Sequence, residues 1–300
     1  MSFYKEIQSN KRKTYILLVL FSFIVVILGG VLGQIFFGNY IFGMIFAFII
    51  AIVYSLIAYR SGDSMILRSA NANELKKEDD PYLFNIVDGL AISAQIPKPR
   101  IYMIKEDSMN AFATGKDPEH ASIAVTSGLR KKMNRLELEG VISHEMSHIK
   151  NYDIRVMMLV TILLGVVVLL SDIIFRSFIW APRSGRKSES GGSGALILLA
   201  IAVVLAILAP IIAQLMRLAI SRKREYLADA TGAKLTHYPE GLANALEKIK
   251  NDHDVTVDTA NKATAHLYIE NPLREKRGFT AKLFSTHPDI NDRIRRLRQM

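Results

Sequence analysis

The 300-residue sequence contains no cysteine. That excludes a disulfide scaffold, a thiolate metal site and a cysteine nucleophile, so any metal centre must be built from histidine and carboxylate. Acidic charge is also in short supply: 28 Asp and Glu stand against 38 Lys and Arg, a formal net charge of +10. The chain has no internal repeat. Half of it is hydrophobic, only 22% is charged, and the mean hydropathy is +0.20. These values exclude a disordered, low-complexity or collagen-like chain and make membrane insertion the first question. The positive balance is compatible with nucleic acid, but basic clusters beside apolar runs account for it at a membrane surface, and nucleic acid is not expected as a partner.

Four apolar runs organise the chain: Tyr15 to Phe37, Tyr40 to Tyr59, Val156 to about Phe175, and Ala195 to about Met216. Each approaches the roughly 20 residues that a helix needs to cross the hydrocarbon layer. The first is too long for a signal peptide, lacks a small-residue cleavage site and is followed at once by the second, so it reads as a retained anchor. The connection Gly38-Asn39-Tyr40 carries no charge, whereas Lys5, Lys11, Arg12 and Lys13 precede the first run and Arg60, Arg68, Lys76 and Lys77 follow the second. The positive-inside rule then predicts a hairpin with both ends cytoplasmic. Lys150 and Arg155 before the third run, and Arg217, Arg222, Lys223 and Arg224 after the fourth, give the second pair the same orientation, whether it spans or re-enters. A Gly/Ser-rich flexible loop, 177–194, lies between its members.

The expected organisation is therefore a tail and transmembrane hairpin over 1–60, a first catalytic segment over 61–154, a second hydrophobic hairpin over 155–216 and a second catalytic segment over 217–300. The two polar segments suffice for one compact α+β domain, mainly helical with few strands. Helices are predicted over Asp80 to Gln95, from Asn134 onward, past Met216 to about Leu235, over Gly241 to Asn251 and after Pro288. Strands are predicted at Arg100 to Ile104 and Ala121 to Thr126.

The chemistry is concentrated in His144-Glu145-Met146-Ser147-His148, an H-E-x-x-H motif. On a helix the two histidines lie one turn apart on one face and can share a zinc ion. Glu145 beside them can take a proton from a water that the metal acidifies. A catalytic zinc takes three protein ligands, and no third histidine follows at close spacing. Glu225 is the best candidate, with Asp229 one turn further on to hold a ligand histidine through its second ring nitrogen. The competing reading is an exposed acidic pair flanked by Arg222, Lys223 and Arg224. Topology favours the ligand: His148 precedes the third run and Glu225 follows the fourth, so a hairpin between them brings both to the same membrane face. Only Asn151 and Asp153 intervene to break the helix between His148 and Arg155, so the ligand helix is expected to run on toward the bilayer.

With Asn110-Ala111-Phe112-Ala113-Thr114-Gly115, the His144 motif continued through Asn151 and Asp153, Glu225 to Asp229, and Thr286-His287-Pro288 followed by Arg293, the chain resembles the M48 membrane zinc metalloproteases over nearly its whole length. The resemblance implies an integral membrane protein with four hydrophobic helices and a gluzincin-type (zincin) catalytic domain containing a small β-sheet. It implies one Zn2+ per chain held by His144, His148 and Glu225, with Glu145 as general base. It places Asp229 and Asp153 around the ligands, puts Asn110, His287 and Arg293 close to the metal as transition-state support, and makes Ala111, Phe112 and Ala113 a substrate-binding edge strand. From the residues alone, Phe112 also fits a core aromatic, His287 a helix cap, and Arg293 one more cation in a basic run. His120, His237, His253 and His266 are read as structural or exposed. The implied activity is endoproteolysis of damaged or misfolded membrane proteins in the bacterial inner membrane, with the catalytic domain and both termini cytoplasmic. Membrane-protein or peptide substrates and the lipid bilayer are its expected partners. A catalytically silent membrane adaptor of the same fold is the alternative, opposed by the intact ligands and base. A transporter would carry more ionisable residues within its spans.

Overall fold

The computed structural model describes residues 3–165, 222–252, 264, 266–269 and 288–300. The loop 177–194, the fourth apolar run, the end of the third, His253 and His287 lie outside them. The chain opens with two long helices, α1 (Phe3–Phe37) and α2 (Tyr40–Ser69). They turn back on each other at Gly38, whose φ of 65° suits glycine, and at Asn39, whose side chain caps α2 by accepting from Phe42 N–H. Small residues let the backbones meet. A Cβ added at Gly33 would lie 2.6 Å from the Gly43 Cα, and one at Gly29 would lie 2.1 Å from the Ala47 Cβ. Apolar side chains such as Val19, Phe23, Ile45 and Phe48 stay exposed along the pair, a continuous apolar surface of the kind that lipid covers.

Both helices outrun the apolar segments. Among the described residues two helices are long and apolar enough to cross a membrane, Ile7–Val31 within α1 and Tyr40–Ser69, where four apolar runs suggested four. The helix α2 passes through position 60 without a break. Its last turns carry Ile66 and Leu67 onto the sheet, and Asp63 pairs with Arg100 at 2.7 Å.

The sheet has four strands: β1 (Asn73–Glu74), β2 (Arg100–Ile104), β3 (Ala111–Gly115) and β4 (Ala121–Thr126), in the order β1-β2-β4-β3. The β2 and β4 strands are parallel and the other pairs antiparallel. Alternation divides the side chains between two cores. Ile101, Ala111, Ala113, Ile123 and Val125 face a large core with α3 (Pro81–Ala94), α5 (Arg135–Lys150), α7 (Pro239–Asn251) and α8 (Ile290–Leu297). Tyr102, Ile104, Phe112 and Ala124 face a second core with the end of α2 and the helical stretch 153–165. The sheet thus lies between the helices of the large core on one face and the end of α2 with the stretch 153–165 on the other. Two further α-helices are α4 (Ser127–Lys132) and α6 (Arg222–Thr236), and a single 3-10 turn, Pro118–His120, precedes β4.

The sequence reading of α3, β2, β4, α5 and α7 agrees with these bounds to within a few residues. It differs at the end of α5. Instead of continuing toward Arg155, the helix stops at Asn151, Tyr152 takes a φ of 59°, and a new helix starts at 153.

Candidate metal centre

The helix α5 is set by its own capping box: Asn134 Oδ1 accepts from Glu137 N–H at 3.0 Å and Glu137 Oε2 accepts from Asn134 N–H at 2.8 Å. Its later turns are buried almost throughout, which places His144, Glu145 and His148 inside the protein. The helix α6 crosses α5 with Glu225, Asp229 and Gly232 on the facing side, a spacing of four and then three residues that keeps them on one stripe. Gly232 is what allows the approach, because a Cβ there would lie 3.0 Å from Ser143 Oγ and 3.1 Å from His144 N.

Three buried donors converge: His144, His148 and Glu225. The two Nε2 atoms are 3.2 Å apart. Glu225 Oε2 is 3.7 Å from His144 Nε2, and Oε1 is 3.6 Å from His148 Nε2. Zinc–ligand lengths of about 2.0–2.1 Å in a tetrahedron put neighbouring donor atoms about 3.3 Å apart. Two imidazoles and a carboxylate at these spacings fit a divalent metal ion in both donor type and distance.

Each histidine is held from behind. His144 Nδ1 lies 2.9 Å from Asp229 Oδ1, and His148 Nδ1 lies 3.1 Å from Asp153 Oδ2. A carboxylate on Nδ1 keeps the proton there and leaves Nε2 as the donor toward the shared centre. Asp229 is itself fixed by Arg293, whose Nε and Nη2 bond its two oxygens at 2.9 and 2.7 Å. Arg293 is 1% exposed and therefore no part of a solvated basic surface. Its Nη2 also stands 3.4 Å from His144 Nδ1, and its Nη1 donates to the Ile269 carbonyl at 3.4 Å.

The electrostatics follow from this packing. Burial pulls the His144 pKa down, but the hydrogen bonds to Asp229 and Glu225 outweigh it and bring it up to about 9 in the metal-free site. Burial pushes Asp229 up, and the charges and hydrogen bonds of Arg293 and His144 overcome that and lower it to about 2. Glu145 is raised above the ordinary carboxylate range chiefly by burial, against the pull of His144, His148 and a hydrogen bond from the Ala113 N–H.

That last bond ties the carboxylate to β3, which is an edge strand. The edge is partly in use, since the Ala111 carbonyl accepts from the Ile269 N–H at 3.0 Å. Phe112 is fully buried on the opposite face of the sheet, with its ring 5.0 Å from that of Tyr268, so its side chain is a core aromatic. Asn110 turns its Oδ1 to the Ala111 N–H at 3.1 Å, and its own N–H bonds Thr126 Oγ1 at 2.9 Å. Of the other histidines, His120 is exposed and pairs with Asp117 at 2.6 Å, while His266 is buried 3.1 Å from Thr161 Oγ1.

One participant escaped the sequence reading. Asn10, near the start of α1, donates through Nδ2 to Asp153 Oδ1 at 2.7 Å and to the Asn151 carbonyl at 3.0 Å. Arg224, read from the sequence only as a flanking cation, is buried and meets the same Asp153 oxygen at 3.0 Å. The only sequence signal for Asn10 is an uncharged polar residue five positions before the first apolar run.

A buried helix-borne H-E-x-x-H joined by a glutamate from a second helix, in a chain anchored by an apolar hairpin, defines the class of membrane metalloproteases. The sequence profile described as peptidase family M48 matches residues 77–300, and the chain belongs to that family. Proteins described as "Protease HtpX homolog" are similar over the whole chain. The one from Dictyoglomus thermophilum is 47% identical over 100% of this chain and 95% of its own length. That from Caldanaerobacter subterraneus is 47% identical over 98% and 97%, and that from Streptococcus agalactiae is 42% identical over 99% and 99%. Among solved structures, S. mikatae Ste24p aligns with a TM-score of 0.48 at 20% identity, over 94% of this chain and 62% of that one.

Proposed function

We propose that this M48 metalloprotease is a zinc endopeptidase with a gluzincin-type catalytic domain, and that it cleaves misfolded or damaged membrane proteins at the cytoplasmic face of the bacterial inner membrane. The observation that carries the reading is the convergence of His144, His148 and Glu225, all buried, beside the carboxylate of Glu145. Zinc in this set would polarise the scissile carbonyl and acidify water. Everything else falls to the chain. Glu145, raised by burial and steadied by the Ala113 N–H, takes the proton from the attacking water and passes it to the leaving amine. Asp229 and Asp153 keep the ligand imidazoles in the tautomer that presents Nε2. Arg293 holds Asp229 in place, and its proximity to His144 supports a part in balancing charge at the centre. The substrate adds to β3 as a further strand, taking the place at Ala111 that Ile269 holds. Its similarity to HtpX protease homologues supports the protease activity, and the role we assign to it is envelope protein quality control, with membrane-protein substrates and the bilayer as partners.

Glu145→Gln tests the mechanism. Zinc content by elemental analysis should stay at about one per chain, while cleavage of an unfolded membrane-protein substrate falls by about 10²–10⁴-fold, the usual weight of a positioned base. Stripping the wild type with a chelator should abolish cleavage, and added zinc should restore it. Wild-type cleavage by the variant would favour a different base, and an inactive wild type that holds zinc would favour the silent adaptor.

A further inference from the structure

We propose that Asn10, on the membrane-anchoring helix α1, is a positioning residue for the metal centre and acts on His148 through Asp153. This rests on the reading of His148 as a metal ligand. Asn10 lies early in α1 and precedes Lys11 and Arg12, which are both exposed, yet it is itself only 1% exposed. Its amide has two N–H donors, and both are spent on residues 141 and 143 positions away, the Asn151 carbonyl and Asp153 Oδ1. Asp153 turns its other oxygen to His148 Nδ1 at 3.1 Å.

The residue type matters. The group facing Asn10 is a pair of acceptors, a carbonyl and a carboxylate, so only a donor with two hydrogens satisfies both at once. Asp at this position would set two carboxylates against each other. The turn it holds is also one that the local sequence does not favour. Tyr152, between Asn151 and Asp153, has a φ of 59° without being glycine, and such a conformation persists only where its surroundings enforce it. Here α1 supplies the enforcement a second time, since Lys11 Nζ sits 4.8 Å from the Tyr152 ring centroid, with Arg155 at 5.2 Å. Arg224, one residue before the ligand Glu225, meets Asp153 on the same oxygen as Asn10. Asp153 is therefore oriented by one donor from the anchor hairpin and one from the helix that carries the third ligand. The seating of α1 fixes the aim of His148.

The test uses the full-length protein in detergent micelles and measures zinc release into a chromogenic chelator alongside kcat and KM. Carboxylates and carbonyls behind ligand histidines are commonly worth 10–100-fold in metal affinity, so Asn10→Ala, one bond further out, is expected to release zinc about tenfold faster. Asn10→Asp should release it faster still. Thr14→Ala, which loses a bond to the Asn10 carbonyl on the same helix but none to Asp153, should leave the release rate at the wild-type value. The decisive measurement is a double-mutant cycle with Asp153→Ala: an effect transmitted through Asp153 vanishes once that residue is gone, whereas general loosening of α1 adds to it in full. A wild-type release rate in Asn10→Ala, or full additivity in the cycle, overturns the proposal. Should Asn10→Ala fail to fold, Asn10→Ser, which keeps one donor, is held to the same two criteria. His148→Ala is measured in parallel; if it leaves zinc content unchanged, the ligand reading itself falls, and the role of Asn10 with it.

Discussion

At the scale of single residues, the site packs the carboxylates of Glu225, Asp229 and Asp153 around two buried histidines. Without metal, His144 keeps its proton up to about 9 because Asp229 and Glu225 flank it. Zinc uptake near pH 7 is therefore expected to release a proton, and affinity should climb as pH rises toward about 9. Calorimetry in buffers of different ionisation enthalpy would count that proton; uptake with no proton released would show that His144 is neutral beforehand. The same shift makes its own contribution to stability against pH. A histidine raised above its ordinary value lends stability that is complete below about 6.5 and fades as pH rises through about 9. The gain in Tm on adding zinc should accordingly widen across that window. The motif residues were legible in the sequence because H-E-x-x-H needs only local helical spacing. Arg293 was legible only through the family resemblance, since from the residues alone a run of four arginines within six positions looks like a solvated face. What buries this one is Asp229, 64 residues earlier in the chain.

At the scale of elements, the ligand helix is held by close backbone contact. A Cβ at Gly140 would lie 2.6 Å from Leu242 N and 2.7 Å from its Cα, so α5 and α7 touch with nothing between them. Gly140→Ala must drive the two apart, at a cost of about 1–3 kcal/mol, and a lower Tm should report it. Gly89, also helical, has open space around its Cα, and Gly89→Ala should instead stabilise by about 0.4–1 kcal/mol. Equal effects at the two positions would mean that helix propensity, and not packing, sets the outcome. Elements with a strong local pattern were readable in advance: the helices beginning near Asp80 and Asn134, and the short strands β2 and β4. The break at Tyr152 was not, because no glycine or proline marks it and its partners lie on α1. Nor was the length of α2. Ser61, Asp63 and Ser64 look like the start of a polar domain, but they are the turns in which one helix leaves the apolar zone and reaches the sheet, with Asp63 finding Arg100.

At the scale of the whole molecule, the hairpin α1–α2 is part of the catalytic fold as well as its anchor: the end of α2 packs under the sheet and the start of α1 reaches Asp153. The proposed topology is directly testable because the chain has no cysteine of its own, so single cysteines can be introduced into a silent background. A cysteine replacing Tyr40, in the uncharged connection, should react with a membrane-impermeant maleimide on intact cells. One replacing Lys77 should react only after the inner membrane is opened, and the reverse pattern would invert the orientation.

The support of the centre is spread along the chain in a way that sets a timetable. Arg293 grips Asp229 and stands beside His144 from 149 residues further on. During synthesis, the H-E-x-x-H helix exists long before the glutamate that completes the donor set, and longer still before the arginine that steadies it. A nascent chain that stops short of α8 would carry the three donors without the arginine that holds Asp229. Chains ended at residue 288 should thus take up zinc more weakly than the full chain while still containing all three donors, a difference that equilibrium dialysis would show.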